Sequence, residues 1–206
     1  MGTTHATLYR NPKQTYPWQI VGVGSSAHVV SNTWADEPKC YLMETDNAAA
    51  ARYAYMHTPK DGQNPNISTY WVCWFRLNTG FEGIYFVVCN QPTIQVANAA
   101  IRGYAISILG GPAGWMRIDR LDGAGAVVTL ATYGWISNTD LRIVRFSREV
   151  SGANRFWRLY YGSSPSNLTL VAGPSATDAT YTNFQYWGWD LLTGARVVFG
   201  GESCQS

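Results

Sequence analysis

A chain of 206 residues has room for one all-β domain with a sizeable core. Aromatic and charged residues each make up 14% of it, against the roughly 25% charge usual in globular proteins, so Ser, Thr, Asn, Gln and Gly must cover most of the surface. A net charge of +2 without any basic run excludes a nucleic-acid partner gripped by bulk electrostatics, and no stretch approaches the roughly 18 apolar residues of a membrane helix.

Residues 1–35 read as a polar, extended N-terminal arm with one candidate strand, Trp18 to Val23, and residues 36–206 as a single domain. The opening MGTTHATLYRNPKQTYPW lacks the apolar stretch of a secretion signal, so none is expected. From Asp36 to Ser68 the pattern is loop with a strand at 39–45, KCYLMET. The next segment, DNAAAARYAYMH, suits either a short helix capped by Asp46 or a strand through Tyr53 and Tyr55, with the strand favoured. Lys60 to Asn66 has turn composition.

Strand signal is dense beyond Ser68. TYWVCWFRL (69–77) and EGIYFVVCN (82–90) read as a hairpin of central strands buried on both faces. RGYAISIL (102–109), GWMRIDRL (114–121), AVVTLAT (126–132), NLTLVAG (167–173), FQYWGWD (184–190) and ARVVF (195–199) follow, separated by Gly, Pro and Asn turns. The clearest pair lies between Asp140 and Tyr161, where Val144, Phe146, Trp157, Leu159 and Tyr161 recur at every other position. Setting Phe146 opposite Trp157 and Val144 opposite Leu159 gives one apolar face. The other face then carries Arg145 opposite Arg158, with Tyr160 nearby. About a dozen short strands without a convincing helix predict a two-sheet antiparallel β-sandwich.

Cys40, Cys73, Cys89 and Cys204 show no C-x-x-C spacing, which argues against zinc. Cys73 and Cys89 are expected as buried thiols, while Cys40 and Cys204 form the candidate pair for tying down the C-terminus. No phosphate-binding, zincin or nucleophile-elbow motif occurs. His5, His28 and His57 read as surface imidazoles, and the Asn66-Ile67-Ser68 and Asn167-Leu168-Thr169 triplets carry little weight alone.

The order YAISILGGPAGWMRIDRL, VVTLAT, DLRIVRFSREVSGANRFWRLYYGSSPSNLTLVAG and TDATYTNFQYWGWDLL resembles the later half of a concanavalin A-like lectin/glucanase domain of laminin G-like type. The likeness covers roughly residues 69–199 and rests on the W-R-L-Y limb, the glycine turn and the G-W-D strand. It implies a jelly roll of two curved sheets that binds carbohydrate or protein, or in some members cleaves glycans. The chain departs from the catalytic branches. Its five Glu, at 37, 44, 82, 149 and 202, never fall within five residues of one another, so the paired carboxylates of an E-x-D-x-E strand are missing. The R-x-E-x-R and Q-I-H signatures of the alginate-lyase branch are missing too. Asp119, alternating with Arg117, is expected in an ion pair. No catalytic residue and no metal ligand is assigned, and no cofactor is expected, although scattered Asp and backbone oxygens leave room for structural calcium.

Candidate ligand-binding residues are Trp187, Trp189, Arg117, Arg145, Arg158 and Tyr160. If Phe184 and Tyr186 face the core, Trp187 and Trp189 face outward and can stack on sugar rings. Arg117, Arg145 and Arg158 are expected on one outward face with Tyr160 and Phe156, either neutralised by Asp119 and Glu149 or receiving an anionic or sugar ligand. The resulting expectation is a non-catalytic lectin-like surface module for carbohydrate binding or adhesion, placed on a phage particle (capsid decoration, fibre or adhesion protein) or an extracellular surface. Its partners would be a glycan or neighbouring structural subunits, with a homo-oligomer among the arrangements, and neither nucleic acid nor a membrane span. The alternative is a polysaccharide-active enzyme, hydrolase or lyase, with an unconventional site.

Overall fold

The computed structural model describes residues 53–77, 83–111, 114–134, 142–163, 167–171 and 177–191 with their side chains, Trp74 excepted, and the backbone of the strands at 4–11, 14–21, 28–30, 40–44, 52 and 196–205. In chain order the elements are β1 (Thr4–Asn11), β2 (Gln14–Val21), β3 (His28–Val30), β4 (Cys40–Glu44), β5 (Arg52–His57), the one-turn α1 (Lys60–Gln63), β6 (Thr69–Leu77), β7 (Gly83–Cys89) and β8 (Gly103–Leu109). They continue with β9 (Trp115–Gly123), β10 (Ala126–Gly134), β11 (Arg142–Ser151), β12 (Asn154–Gly162), β13 (Leu168–Leu170), β14 (Tyr186–Leu191) and β15 (Arg196–Gln205). All strand pairs are antiparallel and build two sheets. One has eight strands in the order β1-β2-β5-β14-β7-β8-β9-β10, the other seven in the order β13-β12-β11-β6-β15-β4-β3. The all-β sandwich expected from strand alternation is the architecture found.

Between the sheets lies the core that the aromatic content foreshadows. Trp157 is fully buried and stacks on Tyr104 at 4.0 Å between ring centroids, with Phe146 at 5.0 Å and Phe184 at 5.4 Å. A second group surrounds Trp189, with Phe86 at 4.9 Å and Phe75 at 5.5 Å. Burying a large apolar side chain contributes roughly 1.5–3 kcal/mol, and well-placed ring pairs add roughly 0.5–1.5 kcal/mol. The two indole N–H groups are accommodated: Trp157 Nε1 donates to the Asp178 carbonyl at 3.0 Å and Trp189 Nε1 to Cys73 Sγ at 3.2 Å.

Three sequence expectations are corrected by the pairing. First, β6 and β7 do not form a hairpin; β6 lies at the centre of the seven-stranded sheet and β7 within the eight-stranded one. Both are interior strands, as their apolar runs require, but β6 alternates between buried and half-buried positions, and only β7 is buried on both faces. Second, the β11–β12 register sets Phe146 against Leu159, Val144 against Tyr161 and Arg145 against Tyr160. The shift of two residues arises because Gly152 and Ala153 alone form the loop, with Gly152 at φ 60° as a glycine-first two-residue turn requires. A two-residue slip preserves the alternation, so the apolar face is as expected while every cross-strand partner changes. Third, the sequence of segment 1–35 predicts one candidate strand, whereas β1 and β2 join the eight-stranded sheet through β5 and β3 joins β4.

Cys73 and Cys89 are buried free thiols, and burial pushes the Cys89 thiol up to about 12, far from a reactive thiolate. Cys40 and Cys204 lie on β4 and β15, and their side chains fall outside the described residues.

Candidate functional site

The candidate site is a polar pocket at one end of the eight-stranded sheet, where β7 stops, β8 begins and β9 approaches its turn. Asn90 follows β7 directly. Its backbone N–H donates to the Arg102 carbonyl at 3.1 Å, and its Oδ1 accepts the Arg102 N–H at 2.9 Å. This clamp closes the 90–102 loop into a cover over the outer face of the sheet, where Ile94, Val96 and Ile101 pack on Tyr53, Tyr55, Val87, Cys89, Ala105 and Leu121. The β9–β10 turn holds the same loop: Ala124 N–H donates to the Asn98 carbonyl at 2.9 Å and Gly125 N–H to the Val96 carbonyl at 3.1 Å.

The opposite wall is the 177–185 segment. Asp178 is its anchor. One carboxylate oxygen accepts Tyr104 Oη at 2.6 Å and the Thr180 N–H at 2.8 Å, and the other accepts Arg120 Nη1 at 2.7 Å. Burial alone would raise the Asp178 pKa, but the hydrogen bonds from Tyr104, Thr180 and Arg120 outweigh it and hold the carboxyl below its ordinary range. Arg120 also grips Asp122 through Nε at 2.9 Å and Nη2 at 3.0 Å, and Tyr181 Oη donates to Asp122 at 2.9 Å. These charge-assisted bonds depress the Asp122 pKa, Arg120 being the main cause. The network therefore fixes the segment that presents Thr180 to Asn183.

Between the walls, Asn90, Arg102, Thr180, Tyr181, Thr182 and Asn183 line a pocket of about 250 Å³. Arg102 Nη1 is held by the Ala99 and Ile101 carbonyls at 3.0 and 2.6 Å, which ties the guanidinium to the 90–102 loop. Amides, hydroxyls, one guanidinium and one phenol ring make a surface suited to a neutral, hydroxyl-rich ligand. None of these residues was among the sequence candidates. The available signal was the uncharged run Thr180-Tyr181-Thr182-Asn183 and the Asn90-Gln91-Pro92 loop, both of which look like ordinary connections until pairing brings the ends of β7, β8 and β9 together.

The predicted binding residues are dispersed. Trp187 and Trp189 are 2% and 0% exposed and belong to the core, so neither ring is open for stacking. The outward expectation failed because β14 begins at Tyr186 and Phe184 enters the core from the preceding loop, which breaks the alternation assumed through 184. Arg117 sits on β9, in the other sheet from Arg145 and Arg158, so the three guanidinium groups share no face. It stacks over Trp115 at 3.4 Å instead of pairing with Asp119, whose carboxylate accepts the Ser107 hydroxyl. Arg145 lies 3.7 Å over the Tyr160 ring and Arg158 pairs with Glu149 at 2.7 Å, while Tyr160 Oη donates to Glu149 at 3.3 Å. Glu149 thus offsets the charge of Arg158, and Arg145 is held by stacking on Tyr160. Among the described residues no group of three or more His, Cys, Asp or Glu could hold a metal ion, and no helix is long and apolar enough to cross a membrane.

On the outer face of the eight-stranded sheet, Asp190 is buried beneath the 90–102 loop. Its Oδ2 accepts the Val96 N–H at 2.8 Å and its Oδ1 has no hydrogen-bond partner. Burial pushes its pKa from 3.8 up to about 7, against the lowering effect of backbone hydrogen bonds. Above the unfolded value the unfolded chain gives up its proton while the folded chain keeps it, so stability falls as pH rises from about 4 to about 7 and then levels off. Asp190→Asn is expected to flatten that dependence and to raise stability at pH 8 by up to roughly 4 kcal/mol, read by denaturant unfolding across the pH series. An unchanged slope would contradict the burial of an ionising carboxyl.

No family model matches the sequence, and no curated protein is similar to it in sequence. Solved structures are similar in fold. The cellulose-induced protein Cip1 superposes with a TM-score of 0.58 at 15% identity, covering 92% of this chain and 91% of Cip1. The VIP36 exoplasmic/lumenal domain, solved with Ca²⁺ and Man2, gives 0.57 at 11% identity over 88% and 80% of the two chains. A seed lectin of Lotus tetragonolobus gives 0.52 at 10% identity over the full length of both. With the sandwich topology, these likenesses give the chain the concanavalin A-like lectin/glucanase fold.

Proposed function

We propose that the chain is a non-catalytic lectin-like surface module that binds carbohydrate, and that the ligand sits in the pocket between Asn90, Arg102 and the Thr180–Asn183 wall. The observation that carries this reading is the lining of that pocket: hydroxyl and amide groups, with a guanidinium and a tyrosine ring, on two walls held by the Asn90–Arg102 clamp and the Arg120–Asp122–Asp178 network. Such groups exchange hydrogen bonds with sugar hydroxyls without a large desolvation penalty, and preorganisation keeps the ordering cost low. The lectins among the structurally similar proteins fit the same reading. A place on a phage particle, as capsid decoration, fibre or adhesion protein, or on another extracellular surface, is the finer proposal; it rests on the sparsely charged, Ser-, Thr- and Asn-rich composition. Glycan-array screening of the wild type and of Arg102→Ala and Asn183→Ala is the test. Binding reduced at least about tenfold in both variants, with melting temperatures kept, is expected; full binding in both variants, or no glycan bound by the wild type, would refute it.

One observation favours a second reading, a polysaccharide-active enzyme: Asp119 and Asp190 are both buried beneath Tyr85, each with one oxygen lacking a partner. Burial, then the charges of Asp119 and Asp190, raise the Tyr85 pKa. The backbones of β9 and β14 are three strand spacings apart, about 14 Å, which is wide for the roughly 5–9.5 Å between carboxyl groups that glycoside hydrolysis needs. Turnover on a polysaccharide panel, abolished by Asp119→Asn, would establish this reading in place of the first.

A further inference from the structure

The polar pocket holds about 250 Å³, below the roughly 300–1,000 Å³ of sites that engulf a drug-sized molecule. It therefore suits one end of a longer ligand, whose remainder must leave across a neighbouring surface. The two pocket walls meet at one residue pair. Asn90 directly follows Cys89, Asn183 stands three residues before Tyr186, and Cys89 and Tyr186 are register partners on β7 and β14. At roughly 3.3–3.6 Å per residue and about 4.8 Å between strands, the Tyr186 backbone lies within about 10 Å of both walls.

Tyr186 starts an aromatic ledge on the outer face of the eight-stranded sheet. His57 is its partner on β5, with ring centroids 4.8 Å apart and an interplanar angle of 50°, and Tyr55 meets Tyr186 edge-on at 5.7 Å. Tyr53 and Tyr55, the first members of the row on β5, are each 8% exposed and pack with the 90–102 loop. Further along, Tyr186 is half-buried and His57 is exposed. Single exposed rings are ordinary surface features, but these two are contiguous and abut a polar pocket. They are also held in place, since the Thr58 N–H donates to the Gln185 carbonyl at 2.8 Å and fixes the end of β5 to the residue before Tyr186. Neither the Tyr186 hydroxyl nor the His57 imidazole makes a hydrogen bond among the described residues, so their polar atoms can exchange bonds with ligand hydroxyls.

We infer that the His57–Tyr186 ledge is a second subsite, taking the second and later units of a neutral oligosaccharide whose terminal unit occupies the pocket; this rests on the pocket reading. A pyranose carries hydroxyls around its rim and C–H groups on its faces. An aromatic ring with a polar tip matches both, covering the C–H face while its tip meets the rim.

Affinities for linear gluco- and manno-oligosaccharides of one to five units, measured by calorimetry on the whole chain, test this. In the series that binds, affinity should rise at least about tenfold from one unit to three. His57→Ala and Tyr186→Ala should each remove most of that rise and leave single-unit affinity unchanged, and Tyr186→Phe, which keeps the ring, should retain more of it. Affinity that does not grow with length, growth that survives both alanine variants, or no binding in either series would overturn the proposal. If Tyr186→Ala loses its fold, His57→Ala, at an exposed position, is read alone by the same criteria. Arg102→Ala separates the two sites: length-independent binding lost in that variant sinks the ledge alone, whereas length-dependent binding untouched by it sinks the pocket reading.

Discussion

Gly188→Ala is expected to lower the melting temperature by about 10 °C or more, the loss of on the order of 3–5 kcal/mol. Gly188 lies between Trp187 and Trp189 on β14, opposite Tyr55 on β5 and Val87 on β7. A Cβ built at this position runs into the Ala54 carbonyl oxygen and approaches Tyr55 Cα and Ala54 C. Those atoms are backbone, so a rotamer change cannot relieve the collision; β14 and β5 must part. Parting them loosens Trp187 and Trp189, both core residues, and the damage spreads from hydrogen bonds to packing. Thermal unfolding followed by circular dichroism reads the effect, and a melting temperature within about 2 °C of wild type would contradict the β5–β14 register.

Arg148→Ala is the second large effect, expected to cost about 3–5 kcal/mol. Arg148 is 1% exposed on β11, facing the segment around α1 rather than solvent. Its Nη2 donates to the carbonyls of Asn64 at 2.7 Å, Ile67 at 2.9 Å and Gly62 at 3.3 Å and to Thr69 Oγ1 at 3.1 Å, and the guanidinium lies 5.1 Å from the Phe184 ring centroid. Truncation strips these acceptors of a shared donor inside the fold, where an unsatisfied carbonyl costs most. Arg148→Lys should recover part of the loss, because these bonds all run from the one nitrogen Nη2, whose place an ammonium with three donors can take. Arg155 gives the contrast. Its bonds to the Gly152 and Asn154 carbonyls are exposed, so Arg155→Ala should change stability by no more than about 0.5 kcal/mol. Equal losses in Arg148→Ala and Arg155→Ala under urea unfolding would contradict the assigned role.

What could be read from the amino acids followed the reach of each physical signal. Period-two alternation located Phe146, Trp157 and Leu159 in the core and marked nearly every strand from Thr69 onward, because alternation is local. The G-W-D strand and W-R-L-Y limb carried the family resemblance. Pairing is not local. The choice between partners for β6 depends on how two sheets divide the chain, and nothing within TYWVCWFRL states it. Trp187 and Trp189 show the limit of parity arguments: one irregular residue before β14 reverses which side faces the core. Arg148 was invisible as a buried residue, since its acceptors come from the 62–69 loop some eighty positions earlier. The pocket residues were missed for the same reason. Asn90 and Asn183 are separated along the chain and meet only because β7, β8 and β9 end together beside the 177–185 segment.

The most direct test of the carbohydrate reading is amide NMR of the isotope-labelled chain during titration with the glycan that binds it best on the array. The account predicts that shift changes concentrate at Asn90, Arg102 and Thr180–Asn183, with few around Arg145, Arg158 and Tyr160. Changes centred on that arginine–tyrosine cluster, with Arg102 and Asn183 unmoved, would contradict it.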